Sequence, residues 1–215
     1  MAHLDIPDRR RQTHDMDVRD ALRRRRMTRA FDGTELDEDH LVELCAEALR
    51  APTAGNARGV RAVVLPGRAG VHDYLEAATD AEWRASSPRA PGLVAAGGAI
   101  AVVCEPHAYA ARYAEDDKSA SGLGDVERWP IPFWHTDAAF ATMTLLLLAE
   151  DAGLAACFLG AFRHAEEVLS LVNAPSGTLL FGAVLLGHSA PAQRPSASLA
   201  RVGPTRLERV VRRRF

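Results

Sequence analysis

Two spacings of hydrophobic positions recur along the chain, and they predict helices and strands in alternation. A helix is predicted after Asp37, a residue type favoured at helix N-caps. Its apolar positions lie three and four residues apart: Leu41, Leu44, Cys45, Ala48 and Leu49. Short apolar runs bounded by glycine, proline or polar residues predict buried strands at 60–65, 99–104, 156–159 and 179–186. Helices are also expected in the basic stretch after Val18, at 69–84 and at 165–172.

The most apolar segment starts at His135 or Thr136 and ends at Asp151. Its hydrophobic residues cover nearly the whole circumference of a helix, so we expect a helix that is buried on all sides. The longest apolar stretch, 138–149, is too short to span about 30 Å of hydrocarbon at 1.5 Å per residue. We therefore expect no membrane-spanning segment.

Three stretches lack this periodicity. Residues 1–16 are polar, so we expect a flexible or partner-docking arm before a single domain at 17–215. Residues 105–133 carry charges, glycines, tyrosines and prolines, and a loop of this length predicts a lid or a substrate wall. From Ala190 to Pro204 the chain is rich in proline, serine and arginine, which predicts an extended surface segment before a last element near 207–211.

The composition is that of an ordinary globular protein, with 47% hydrophobic and 25% charged residues among 215. The formal net charge of -2 gives no global attraction to nucleic acid or to an anionic membrane, and we expect neither as a partner. Three cysteines far apart in apolar surroundings indicate reduced thiols, and the polar N-terminus has no signal-peptide core. These features predict a cytoplasmic protein.

Common catalytic patterns are missing from the sequence. Lys118 is the only lysine among 26 basic residues, so chemistry that needs a lysine amine has one candidate. The eight histidines are scattered, and no HExxH or paired CxxC motif occurs, so we expect no metal site. No side chain is predicted to act as a catalytic acid, base or nucleophile.

Three segments remain as candidates for ligand binding. The run RRRRMTRAF at 23–31 places arginine forks, which suit phosphate, at the end of a short helix, although such runs are more often solvated basic faces or nucleic-acid patches. The run APTAGN at 51–56 ends a helix with small residues that allow a backbone to approach a flat ligand. The run CFLGAF at 157–162 ends a strand with two small residues whose backbone N–H groups are available as donors.

Together and in this order, these segments resemble the FMN-dependent nitroreductase family. The matching patterns are R-x-x-[TV]-R-x-F, from Arg25 or Arg26 through Arg29 to Phe31, then A-P-[ST]-A-G-N at 51–56 and G-L-x-x-C-x-L-G-A-F at 153–162. A long buried helix follows Trp134-His135, and the resemblance covers about 18–212. It implies an α+β fold of three layers, with a central, mostly antiparallel sheet flanked by helices. It also implies an intertwined homodimer with two FMN sites at its interface and the helix from Thr136 in the dimer core.

The resemblance implies a set of FMN-binding residues. Arg25 and Arg29 match residues that bind the flavin phosphate and ring edge, and Arg26 and Met27 line the same site. Positions that contact the flavin from the partner subunit are matched by Thr53, Ala54 and Asn56. Backbone donors near flavin N5 are matched by Gly160 and Ala161. Arg201 is the preferred candidate for a further phosphate contact near the C-terminus.

The chain departs from the family pattern at three places. Arg58-Gly59-Val60 stands where relatives have a Q-P-W or Q-G-W type sequence. Pro204-Thr205 stands where they have basic residues, and Met27 replaces a common serine.

The activity implied is hydride transfer from NAD(P)H through FMN to a nitroaromatic, quinone or enone by a ping-pong mechanism. Tyr109, Tyr113, Trp129 and Phe133 are the candidates for the substrate pocket, with simple packing as the alternative. A second hypothesis is an FMN-dependent oxidase that dehydrogenates cyclic dipeptides or azolines, with a small partner protein docked on the N-terminal arm. A third is a flavin-free binding or scaffold protein that uses the arginine clusters at 23–26 and 212–214.

Overall fold

The sheet has four strands, which we label β1 (Val60–Pro66), β2 (Gly98–Cys104), β3 (Ala155–Gly160) and β4 (Leu179–Gly187). Their order is β1-β2-β4-β3, and every neighbouring pair is antiparallel. The structure is a computed structural model that describes residues 16–191, 200 and 203–211. The predicted N-terminal arm therefore lies outside the described residues, apart from Met16, and Arg201 lies outside them entirely.

Eight helices are described. They are α1 (Val18–Arg24), α2 (Glu38–Ala48), α3 (Gly67–Ala78), α4 (Ala81–Ser86), α5 (Ala90–Val94), α6 (Pro106–Tyr113), α7 (Phe133–Asp151) and α8 (Ala165–Leu171). Short 3-10 turns lie at Ala54–Asn56, Ser119–Ser121 and Val126–Arg128.

The helices cover both faces of the sheet. Alternate residues of a strand face opposite sides, so Val184 packs in the core with α2 and α7, whereas Leu185 packs in the core with α3, α5 and α8. A third apolar cluster joins β1, β2, α6 and α7 around Tyr109 and Trp134. This arrangement confirms the predicted α+β fold with three layers.

The outer edge of β3 is covered by the segment that follows α1. Met27 forms a parallel bridge with Ala156, and the Thr28 N–H donates to the Ala156 carbonyl at 2.9 Å. Phe31 then bridges to Ser189 beyond the end of β4. The basic segment is thereby fixed to the strand that ends at Gly160.

Helix α7 differs from its prediction in two respects. It starts at Phe133 because Pro132 stands before its first turn, where the missing N–H of proline costs nothing. In the single chain α7 is not buried on all sides, since Phe140 is 46% and Met143 37% exposed. The sheet, α1 and α2 cover only part of the apolar circumference of α7 and leave a hydrophobic strip uncovered in the single chain.

The segments between the strands are more helical than the sequence predicts. The predicted loop at 105–133 begins with α6, in which Pro106 suits a first turn and alanines favour the helix that follows. The predicted helix at 69–84 is two helices, because Thr79 and Asp80 have extended backbones. Residues 207–210 form a turn, with the Val210 N–H donating to the Leu207 carbonyl. Among the described helices, none has the length and apolarity needed to cross a membrane.

All three cysteines are free and buried, as expected for reduced thiols. Burial raises the pKa of Cys45 to about 11 and that of Cys104 to about 12. The pKa of Cys157 is also raised by burial, against the opposing effect of the Arg29 and Arg89 charges.

Candidate functional site

Arg25 ends α1 and leads into the segment along β3. Its Nε and Nη1 atoms are buried, and they have no hydrogen-bond partner among the residues that the structure describes. Burying nitrogen donors without an acceptor costs free energy, so these two atoms favour a bound anion or another acceptor. An arginine fork matches two phosphate oxygens in geometry and in charge. Arg25 therefore fits the phosphate-binding function that the sequence predicts.

Arg26 has a local structural contact that the sequence did not predict. Its Nη1 donates to the carbonyl oxygens of Arg23, Arg24 and Arg25 at 2.5, 3.0 and 3.0 Å. These are orphan carbonyls at the end of α1, and a cation there also interacts favourably with the helix dipole. This contact directs one nitrogen of Arg26 toward its own helix.

Met27 and Arg29 lie on the edge of the sheet. The Met27 Sδ atom accepts a hydrogen bond from the Phe158 N–H at 3.4 Å, so the residue that replaces a serine is bound to β3. The half-buried Arg29 donates to the Met27 carbonyl at 3.3 Å. The same segment also contacts α5, because the Phe31 N–H donates to the Gly92 carbonyl at 3.2 Å. The segment is thus held between β3 and α5.

The turn after α2 contains Thr53, Ala54 and Asn56, which are predicted to contact flavin. Asn56 has φ = 59° and Arg58 φ = 54°, both in the left-handed region. The Arg58 Nε donates to Asn56 Oδ1 at 3.0 Å, and the Arg58 N–H donates to Thr53 Oγ1 at 3.3 Å. Arg58, which departs from the family pattern, therefore stabilises the unusual conformation of this turn.

Two further side chains bind the same turn. The Asp137 Oδ2 atom accepts from the Ala54 N–H at 2.8 Å, and the Arg112 Nε donates to the Gly55 carbonyl at 2.9 Å. Sequence reasoning missed both residues. The available signal was Asp137, the one acidic residue of α7 before Glu150.

Gly160 is the last residue of β3 and pairs with Gly182 of β4, and Ala161 follows it. Both are half-buried, whereas the next side chain, Phe162, is 93% exposed. Ala156, which binds the basic segment, lies four residues earlier on the same strand, about 13 Å away at 3.3 Å per residue. A ligand that contacts both places must be elongated.

The connection after Ala161 is held by His164, which has φ = 54°. Its Nε2 lies 2.9 Å from Asp80 Oδ1 and its Nδ1 lies 3.3 Å from Glu167 Oε1. Hydrogen bonds to Glu167 and Asp80 raise the pKa of His164 above its ordinary value.

Because this pKa is raised by folding, protonated His164 stabilises the native state below about pH 6.5, the ordinary histidine value. The free energy of unfolding is expected to fall as the pH rises from there through the raised pKa. Urea unfolding at a series of pH values measures the free energy of unfolding of the wild type and of H164Q. The difference between the two proteins is expected to shrink at higher pH. An equal pH dependence in both proteins would contradict it.

The aromatic residues predicted to line a substrate pocket form a packed cluster. Edge-to-face contacts join Trp129 to Tyr109, Tyr113 and Phe133 at centroid distances of 5.9, 4.7 and 6.0 Å. Tyr109 is fully buried, and its hydroxyl donates to Asp137 Oδ2 at 2.8 Å. The assignment of Tyr109 to a substrate wall is therefore wrong, because its ring has no accessible surface. Tyr113, Trp129 and Phe133 keep partial exposure.

An open cleft of about 560 Å³ lies between α6, the 124–127 segment and the start of β4. Its lining includes His107, Asp125, Glu127 and Trp134 and none of the predicted flavin-binding residues. Within the described part of the chain, no cluster of three or more potential metal ligands occurs.

Comparisons with known proteins place this geometry in a family. A family model described as the nitroreductase family matches residues 22–188. A protein of Archaeoglobus fulgidus, named as an NADH dehydrogenase/NAD(P)H nitroreductase, is 22% identical over 188 residues, which cover 86% of this chain and 92% of that protein.

Two solved structures share the fold. One is a nitroreductase-type protein of Exiguobacterium sibiricum in complex with FMN, with a TM-score of 0.65, 17% identity and coverage of 87% of this chain and 94% of that one. The other is an enone reductase of gut-bacterial fatty acid saturation metabolism, with a TM-score of 0.66, 18% identity and coverage of 84% and 92%. The family model spans well over half of the sequence, so the resemblance is confirmed and the chain belongs to the nitroreductase family of oxidoreductases.

Proposed function

We propose that the chain is an FMN-dependent enzyme that transfers hydride from NAD(P)H to a small organic acceptor of the nitroaromatic, quinone or enone type by a ping-pong mechanism. The observation that carries this proposal is that two guanidinium nitrogens of Arg25, Nε and Nη1, are buried without a hydrogen-bond partner among the described residues. It lies where the family resemblance puts a flavin phosphate contact. Two structural relatives support the same activity, since one is described in complex with FMN and the other is named an enone reductase.

The residues present fit FMN in charge and in extent. Arg25 would bind the phosphate, and Arg29 would place a positive charge near the ring edge. The backbone of Gly160 and Ala161, about 13 Å along β3, would contact the region of N5. When bound, FMN supplies the hydride-accepting and hydride-donating chemistry. The protein then has to bind, orient and shield the reactants, which is consistent with a site that has no side-chain acid or base.

We further propose a homodimer that uses the uncovered strip of α7. Phe140 and Met143 are exposed there, and α1, which packs on α7, exposes Val18 and Leu22. Large exposed apolar side chains on two helices that pack against each other are typical of an interface between subunits. In this dimer Thr53, Ala54 and Asn56 contact the FMN of the partner subunit.

The proposal is tested with purified protein under anaerobic conditions. FMN is expected to bind and give a yellow protein, NADH or NADPH to bleach its visible absorption, and a nitroaromatic, quinone or enone to restore it. Riboflavin, which lacks the phosphate, is the matched control ligand and is expected to bind more weakly. A colourless protein that cannot be reconstituted with FMN would contradict the proposal.

Two further experiments separate the other hypotheses. Turnover of a cyclic dipeptide or azoline with oxygen and without NAD(P)H would identify an oxidase. Binding of an acidic partner by a protein without flavin would identify a scaffold.

A further inference from the structure

Asp137 is an unusual residue for its surroundings. Its side chain is 2% exposed and lies on α7 beside Ala138 and Ala141, within an apolar cluster. Its Oδ2 atom accepts two hydrogen bonds of 2.8 Å, from the Ala54 N–H and the Tyr109 hydroxyl. Burial and the bond to Asp137 raise the pKa of Tyr109, which keeps that hydroxyl protonated as a donor.

Stability alone does not account for a carboxylate at this position. A buried charge carries a large desolvation penalty, and well-packed apolar residues in its place are often neutral or stabilising. Asp137 instead fixes local geometry, because a charged acceptor holds the N–H that it binds in one position.

The N–H that Asp137 binds belongs to a turn that needs external support. Gly55 and Asn56 both have left-handed backbones, with φ of 58° and 59°. Left-handed non-glycine residues persist where surrounding contacts over-determine the conformation. Arg112 supplies a second contact at the Gly55 carbonyl and is itself held by a two-pronged bond to Asp117 at 2.6 and 2.7 Å.

We propose that Asp137 is a positioning residue for the cofactor. Its carboxylate fixes the turn at 53–56 in the conformation that completes the FMN site of the partner subunit. This inference rests on the proposed function, and it connects a core residue of one subunit to the flavin affinity of the other. Arg112 supports the same turn through the Gly55 carbonyl.

Single substitutions test the effect on binding. D137A removes the acceptor and is expected to raise the Kd for FMN on the order of 10- to 100-fold. D137N keeps an acceptor oxygen and is expected to recover much of this loss. The matched control is Y109F, which removes the other hydrogen bond to the same carboxylate but leaves the bond to Ala54; its Kd is expected to stay within about threefold of the wild type.

A subunit-complementation experiment separates positioning from general destabilisation. D137A and R25A chains, each with a different affinity tag, are co-expressed and the mixed dimer is isolated. One of its sites then combines the intact Arg25 of one chain with the intact turn of the other. At an FMN concentration between the wild-type and variant Kd values, we expect one FMN per mixed dimer and almost none on either variant homodimer. No FMN on the mixed dimer would overturn the inference.

If D137A does not fold, A54P carries the test. Thr53 has an extended backbone, as a residue before proline requires, and proline at 54 removes the N–H that Asp137 accepts. A54P is expected to raise the Kd for FMN as D137A does, and wild-type affinity in a folded A54P would overturn the inference. If the wild type itself fails to bind FMN, the proposed function fails first; if it binds and folded D137A binds equally well, only the inference on Asp137 fails.

Discussion

Replacing Arg25 by alanine is expected to weaken FMN binding by about 1.5–3 kcal/mol, a rise in Kd of roughly 10- to 150-fold. The side chain is half-buried, and its buried Nε and Nη1 atoms have no acceptor among the described residues. The phosphate would therefore gain a strong, charge-assisted contact without displacing another partner. Titration of the apoprotein with FMN, followed by quenching of flavin fluorescence, measures the change.

R24A is the matched control for this substitution. Arg24 is exposed on the adjacent position of α1, so its removal changes the net charge equally without removing a buried fork. R25K keeps the charge but loses the fork geometry, and its affinity is expected to lie between those of R25A and the wild type. Equal FMN affinity in R25A and the wild type would show that Arg25 does not bind the cofactor.

Replacing Gly92 by alanine is expected to destabilise the fold by about 1–3 kcal/mol or more. A Cβ at this position in α5 would overlap the carbonyl oxygen of Arg29 and lie 3.0 Å from the Cα of Ala30. Both are backbone atoms, so the whole segment along β3 would have to shift. Because this segment carries Arg29, FMN affinity is expected to fall together with stability.

Thermal unfolding and FMN titration of G92A measure the two effects, with a Tm shift of about 2–4 °C for each kcal/mol at this chain length. G203A is the control, because a Cβ at Gly203 meets no atom of the described residues within 4 Å. A G92A protein with wild-type Tm would show that α5 and the basic segment separate easily.

Strands and family motifs are predictable from this sequence because each depends on a few adjacent residues. The strand β2, for example, is a single apolar run and occurs within one residue of its predicted start. Helix α6 was missed because the prediction relied on the composition of the segment. Pro106, together with a mixture of alanine, tyrosine and charged residues, is also typical of a loop. Its pattern becomes recognisable only when the proline is interpreted as a first-turn residue.

The supports of the candidate site were beyond prediction for a different reason. The hydrogen bond from Ala54 to Asp137 joins residues 83 positions apart, and that from Arg112 to Gly55 joins residues 57 apart. Such pairs depend on how α6 and α7 pack, which no local pattern encodes. Tyr109 illustrates the same limit. An aromatic residue type is compatible with a substrate wall, but its burial depends on the tertiary structure and cannot be inferred from the local sequence.

The burial of the three thiols bears on the compounds that the enzyme is proposed to meet. Quinones and enones are electrophiles, and the nucleophile in a protein that they modify most readily is a thiolate. With the pKa of Cys45 near 11 and that of Cys104 near 12, and with all three sulfur atoms in the core, almost no thiolate exists at neutral pH and none is accessible. A chain with one lysine and no exposed cysteine therefore offers its own proposed acceptors no accessible thiol and a single lysine amine.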